Sequence, residues 1–138
     1  MATEETTNPL LLDMVLYLTK KGLVEGDGVD TFRDFQPHKP DDVVILAEYN
    51  GSPVSRDDEL VHRSVQIKVR HSSPDEARTR ALKIFEALRK DMDEAHIIHF
   101  TDCRWGQVYL RQSPIKIDAD EDERITWGFN VGVTTTIY

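Results

Sequence analysis

The chain has 138 residues, which is enough for a hydrophobic core and predicts a single domain over residues 1–138. Its formal net charge of −8 argues against general binding to nucleic-acid phosphates, because that affinity comes from basic patches. Cys103 is the only cysteine, so no disulfide forms within the chain, which suits a reducing cytoplasm. No apolar stretch is long enough to span a bilayer, and the acidic first residues lack the basic start of a signal peptide.

Residues 1–7 are expected to be disordered, and the first predicted helix follows them. Asn8 suits the cap of that helix, Pro9 suits its first turn, and Gly22 ends it. The apolar residues cover more than one stripe of the helix: Leu10, Leu11, Leu12, Met14, Val15, Leu16 and Leu18. Two interpretations stay open. Either the helix is buried on two sides within the chain, or one side contacts another subunit.

The next segments alternate between loops and strands. Residues 23–42 are rich in Gly, Asp and Pro and indicate a loop with one short extended piece. Residues 43–49 are almost continuously apolar, which predicts a strand buried on both faces. A turn at 50–53 and an exposed loop over 54–62 lead to the alternating residues 63–71, with Val65, Ile67 and Val69 on one side. We expect the two strands to be antiparallel neighbours.

A second helix is predicted over residues 74–91. Ser73 and Glu76 have the spacing of a capping box, and Pro74 suits the first helical turn. An apolar stripe at helical spacing follows: Ala77, Ala81, Ile84, Phe85, Leu88 and Met92. We expect this stripe to pack on the apolar face of the sheet that contains the 63–71 strand.

The last third of the chain predicts two more strands. Residues 107–117 form a strand that Ser113-Pro114 interrupts, and the acidic run 118–123 is a hairpin turn. Residues 124–137 give the longest strand signal, with a mostly apolar set on one face: Ile125, Trp127, Phe129, Val131, Val133, Thr135 and Ile137. The opposite face is small and polar: Thr126, Gly128, Asn130, Gly132, Thr134 and Thr136. It is either open to water or accepts a close-packed neighbour.

These elements predict an α+β fold. Its sheet is mixed but rich in antiparallel pairs, has about four strands, and carries the N-terminal and central helices packed on it.

Few residues offer chemistry. His96, His99, Asp102 and Cys103 suggest a metal cluster, but the two histidines share a face only on a helix, and nothing completes four ligands. The acidic run begins like a calcium loop, yet Glu123 stands where that loop needs glycine and Phe129 where it needs glutamate. No nucleotide-binding or nucleophile motif is present. The sequence therefore predicts no catalytic residue, no cofactor, no bound metal and no enzyme.

Two long motifs and the order of the elements suggest a relationship. Residues 73–88 read SPDEARTRALKIFEAL after a strand, and residues 113–135 read SPIKIDADEDERITWGFNVGVTT, with an acidic turn before Arg124 and a central Asn130. Together with the N-terminal helix, this layout resembles the minor capsid and tail terminator proteins of long-tailed bacteriophages. The resemblance covers roughly residues 8–137.

The resemblance implies a structural virion protein. Such proteins form a homohexameric ring that caps the head-proximal end of the tail tube, stops its polymerisation and joins the tail to the head. The implied partners are further copies, the tail tube protein and a head connector or stopper protein. DNA would pass through the ring without sequence-specific binding, and assembly would occur in the bacterial cytoplasm, from a phage or prophage gene. The alternatives are another neck or head–tail connector protein, or a small metal-binding protein that uses His96, His99 and Cys103.

Overall fold

The computed structural model describes residues 9–49, 60–100 and 105–135. Its helices and strands, in chain order, are α1 (Pro9–Lys20), β1 (Thr31–Arg33), β2 (Val43–Tyr49), β3 (Val61–His71), α2 (Pro74–Ala95), β4 (Ile98–His99), β5 (Trp105–Leu110), β6 (Ile115–Ala119) and β7 (Ile125–Thr135). The predicted α+β class is confirmed, but the sheet has seven strands in these ranges, where the sequence predicted about four. The expected tail at 1–7, the turn and most of the loop at 50–59, and the end of the last strand at 136–137 lie outside the described residues.

The sheet is built around the long antiparallel pair β3–β7, which runs in register from Val61 opposite Thr135 to His71 opposite Ile125. The strand order is β1-β2-β3-β7-β5-β4, and β6 pairs β7 beside β5. Only β1 and β2 are parallel among these pairs, so the sheet is mixed as predicted. The predicted 107–117 strand is divided into β5 and β6, which both follow the same edge of β7. Pro114 lies in the gap, where its missing N–H breaks no ladder bond.

One face of the sheet packs against both helices. Ile84 and Leu88 of α2 lie in the core with Ile67, Phe129 and other buried residues of β2, β3 and β7. The ring of Phe85 meets Phe129 edge to face, with 5.3 Å between ring centroids. The predicted stripe of α2 therefore covers the sheet face that contains Val65, Ile67 and Val69, as expected.

The first helix is buried almost all round by its own chain. Leu10, Leu11, Met14, Val15 and Leu18 are each at most 2 % exposed. Leu16 is 45 % exposed, and Leu12, one turn before it, is half-buried. The interpretation that favoured burial on two sides within the chain accounts for these residues, and the apolar excess of α1 no longer requires a second subunit.

The start of α2 differs from the predicted capping box, which is wrong. Ser73 occupies the N-cap position but makes no side-chain capping hydrogen bond. Its backbone N–H donates to Nδ1 of His71 at 2.9 Å, and Nε2 of His71 lies 2.8 Å from Oε2 of Glu76. The imidazole thus takes the place of the Glu76 carboxylate as the acceptor of the Ser73 N–H, because the last residue of β3 brings the ring over the first turn of the helix.

Two buried arginines hold the loop before β2. Arg70, only 2 % exposed, donates to the backbone oxygens of Pro40 at 2.7 Å, Asp41 at 3.2 Å and His38 at 3.3 Å. Arg124 also donates to the oxygen of His38. Burial lowers the pKa of Arg70, and the nearby Arg124 lowers it further. The loop is therefore tied to β3 and to the β6–β7 hairpin by charge-assisted hydrogen bonds.

Candidate assembly surface

The second face of the sheet points away from both helices, and we call it the helix-free face. The ladder registers place alternate residues of each central strand on it. In β7 these residues are the small polar set that the sequence predicted, and in β3 they are His62, Ser64, Gln66, Lys68 and Arg70. Near the two ends of β7 this face is not open to water, since Thr126 is 6 % and Thr134 is 5 % exposed.

The close neighbours of the small β7 residues come from the same chain. A Cβ atom at Gly128 would lie 2.6 Å from the backbone oxygen of Ile67 and 2.7 Å from Cδ1 of Ile117. A Cβ at Gly132 would lie 2.9 Å from a terminal guanidinium nitrogen of Arg111. The predicted close-packed neighbour therefore exists, but it consists of side chains from β6 and from the residue after β5. Sequence reasoning missed both covering side chains, although two glycines four residues apart on one strand face were a signal for them.

A row of four paired residues crosses this face. Tyr49 is opposite Ser64, Ser64 is opposite Gly132, and Gly132 is opposite Tyr109. Three strand spacings separate the tyrosines, which is about 14 Å. Tyr49 is 38 % and Tyr109 is 54 % exposed. We call these four residues, with the guanidinium of Arg111 resting on Gly132, the tyrosine row.

Most of the exposed large apolar side chains in the described ranges lie on or beside this face. Ile115 is 49 % exposed opposite Gly128, and Ile117 is 41 % exposed above the same glycine. Phe35 is 62 % exposed and packs edge to face on Phe32, at 6.2 Å between centroids. Aromatic and branched apolar residues with large exposure are typical of surfaces that bind other proteins.

The acidic run forms a tight turn between β6 and β7, as predicted. Asp120 accepts hydrogen bonds from the backbone of Asp122 and from the backbone and side chain of Arg124. Burial alone would raise the pKa of Asp120, but these hydrogen bonds outweigh it and lower the pKa. Glu121 and Glu123 are exposed on the outside of the turn and make no ion pair within the described parts of the chain. They are the free negative charges at the tip of this hairpin.

The suggested metal residues are not assembled on a helix. α2 ends at Ala95, His96 follows it with a positive φ of 60°, and His99 belongs to β4. Both histidines are exposed, and Asp102 and Cys103 lie outside the described residues. Across 9–49, 60–100 and 105–135, no three His, Cys, Asp or Glu side chains gather in a way that would hold a metal ion. His96 and His99 therefore do not lie on a common helix face.

A cleft lies on the other side of the molecule, between the loop after α1 and the first turns of α2. Its volume is about 720 Å³. Two pairs of its polar groups are engaged with each other, since Arg80 donates to Asp30 at 2.5 Å and His71 meets Glu76. Burial would raise the pKa of Asp30, but hydrogen bonds from the backbone of Glu25, from Arg80 and from the backbone of Gly26 outweigh it and lower the pKa. Asp30 is therefore a paired charge within the cleft.

The arrangement defines a class of protein that works through contacts with other proteins. Within the described ranges, the helix-free face gathers exposed apolar side chains, and the acidic turn beside it adds exposed charges. No helix in those ranges is long and apolar enough to cross a membrane.

Comparison with known families agrees with this class. Residues 17–137 match a family described as bacteriophage tail terminator protein. Because the match covers most of the chain, the protein belongs to the bacteriophage tail terminator family. Membership gives it a structural, tail-terminating role in a phage virion, in association with other phage tail and head proteins. No curated protein matches the chain.

Proposed function

We propose that the protein, as a single domain, forms a ring of six identical subunits at the head-proximal end of a phage tail. The ring stops polymerisation of the tail tube protein and provides the surface for a head connector or stopper protein. It is assembled in the bacterial cytoplasm, from a phage or prophage gene, and it has no catalytic role.

The observation that carries this proposal is the helix-free face. It is a sheet surface without a covering helix, and it exposes Tyr49, Tyr109, Ile115 and Ile117 together. A single copy has nothing in its described residues to cover them, so burial against another protein is the favourable state. Self-association through two different patches of one chain closes into a ring when the rotation per subunit divides a full turn.

The acidic balance also supports a ring around DNA. A net charge of −8 leaves few cations to hold phosphates, so a duplex would pass such a lumen without being retained. Two other arguments no longer contribute: α1 is buried by its own chain, and the small residues of β7 are covered by Ile117 and Arg111. The proposal therefore depends on the family and on the exposed sheet face.

The test is deletion of the gene from a phage that carries it. We expect tails of uncontrolled length, or tails that are not joined to heads, in electron micrographs. A plasmid copy of the intact gene should restore uniform tails, and a copy with an early stop codon should not. Infectious particles with normal tails from the deletion would refute the proposal. Native mass spectrometry of the protein released from intact tails then gives the number of subunits, for which we expect six.

A further inference from the structure

We propose that the tyrosine row of one subunit receives the acidic β6–β7 turn of a second copy, with Arg111 binding Glu121 or Glu123. This inference rests on the proposed ring and names the two patches that meet in it. The charges, the shape of the row and the positions of the two patches on β7 each support it.

The receiving patch contains an arginine without a carboxylate. Arg111 is exposed, and in the described ranges its side chain makes one hydrogen bond, to Oγ of Ser64 at 3.4 Å. Its guanidinium lies on Gly132, where any side chain would displace it. A planar guanidinium is suited to bidentate binding of a carboxylate. The chain carries 25 acidic residues, so an arginine left without one is a candidate for an external partner.

The exposed tyrosines flank this cation. Tyr49 and Tyr109 lie at the two ends of the row. The small residues Ser64 and Gly132 lie between them, so the surface is lower at the middle of the row than at the tyrosines. Apolar flanks around a central charge exclude water from it and strengthen its ion pair. The row therefore has the composition of a protein-binding patch with one specific polar anchor.

The donated patch is the acidic turn of the neighbour. Glu121 and Glu123 project from a turn that Asp120 and Arg124 hold in shape through their hydrogen bonds. Because the turn is held before contact, binding orders few additional residues. The two free glutamates complement the free arginine in charge, and Arg124, the cation of the turn, is directed to Asp120 and Asp122.

The two patches cannot meet within one copy. The turn precedes Ile125 and the row crosses β7 at Gly132, so seven residues of extended strand, about 24 Å, lie between them. A contact between copies therefore joins two different patches, and the resulting pair still offers one free row and one free turn. Contacts of this type are heterologous and continue until a ring closes.

The experiment measures self-association of the full chain by sedimentation velocity over a range of concentrations at low salt. The wild-type chain should associate progressively, and salt should weaken it, because the paired charges are at the surface. Arg111→Glu, and separately the double variant Glu121→Arg/Glu123→Arg, should each weaken association roughly 10- to 100-fold. Lys116→Glu is the matched control: it makes the same change in charge on β6, whose ladder places Lys116 opposite Trp127, away from the helix-free face.

The decisive step is mixing. Alone, each variant opposes like charges at the contact, but a mixture alternates an acidic turn on a basic row with a basic turn on an acidic row. An equal mixture of the two variants should therefore assemble to the size of the wild type, while neither does so alone. Circular dichroism checks that each variant is folded; if Arg111→Glu is not, Arg111→Gln should weaken association without complementing the double variant.

Three results would overturn the inference. The wild-type chain could stay monomeric up to about 1 mM at low salt, both variants could associate like the wild type, or the folded mixture could stay monomeric. These results are distinct from failure of the proposed function. A phage with Arg111→Glu and normal tails would refute the contact alone, whereas normal tails after gene deletion would refute the terminator role.

Discussion

The two faces of the sheet use the same strands for different purposes. On the helix-covered face, Val65, Ile67, Phe129 and Val131 are each at most 1 % exposed and pack against α1 and α2. On the helix-free face, the residues between them in sequence are polar or glycine, and Arg111 and Ile117 cover them. Tyr49 and Tyr109 remain exposed there. Stability is therefore concentrated on one face, which leaves the other free to carry contacts between proteins.

The difference has a physical origin. Apolar burial contributes in proportion to the area removed from water, and the helices remove almost all of it on one side. The helix-free face is held by hydrogen bonds and by long side chains, which leave part of their own surface exposed. Substitutions on the two faces should accordingly separate stability from assembly.

The largest expected effect is on the helix-covered face. Phe129→Ala should lower the free energy of unfolding by about 3–5 kcal/mol, because it opens a cavity beside Phe85 and Ile67. Tyr109→Ala, on the helix-free face, should change it by less than about 0.5 kcal/mol. Urea titration followed by circular dichroism measures both. Equal losses for the two variants would show that the faces do not differ in this way.

Phe85 is only half-buried, so Phe85→Ala should cost less than the 3–5 kcal/mol expected for full burial.

A second comparison lies within the helix-free face. Gly128→Ala should cost about 1–3 kcal/mol, because the new Cβ meets the backbone oxygen of Ile67, which cannot move away. Gly132→Ala should cost less, since its new Cβ meets the flexible end of Arg111. The same urea titrations compare the two, and a larger loss at Gly132 would contradict the packing described for this face.

The charges beside α2 should show in the pH dependence of stability. Hydrogen bonds lower the pKa of Asp30 below its ordinary value of 3.8, so the folded state favours the ionised form. The contribution of Asp30 is therefore complete above that ordinary value and is lost as the pH falls through the lower, folded value. Asp30→Asn should cost about 1–2 kcal/mol near pH 7 and progressively less below pH 4. A loss that stays constant between pH 7 and pH 3 would contradict this assignment.

The smallest effects test the beginning of α2. Ser73→Ala should change stability by less than about 0.5 kcal/mol, because the hydroxyl makes no capping bond. His71→Ala should cost about 1 kcal/mol, since it removes the acceptor for the Ser73 N–H and the partner of Glu76. Thermal unfolding of both variants at one pH gives the comparison. A larger loss of stability for Ser73→Ala than for His71→Ala would contradict this description and support the capping box.

The sequence by itself determined the elements whose burial follows a local period. The alternation at 63–71 and from residue 125 onwards, and the helical stripe from Ala77 to Met92, predicted β3, β7 and α2 and the face that each buries. Those patterns are readable because each residue's neighbours at two, three or four positions share its environment. The small polar face of β7 was predicted in the same way, and it became the centre of the candidate surface.

Only the tertiary structure decided what covers that face and how the ends of the elements are held. Arg111 reaches Ser64 across 47 residues of sequence, and Arg124 reaches His38 across 86. β1 and β4 are too short to have a period, so their pairing with β2 and β5 depends on the strands already in place. His71 replaced Glu76 as the acceptor of the Ser73 N–H because β3 directs its ring there. Contacts of this kind depend on how the chain brings distant residues together in space, and no local pattern of residue types encodes that.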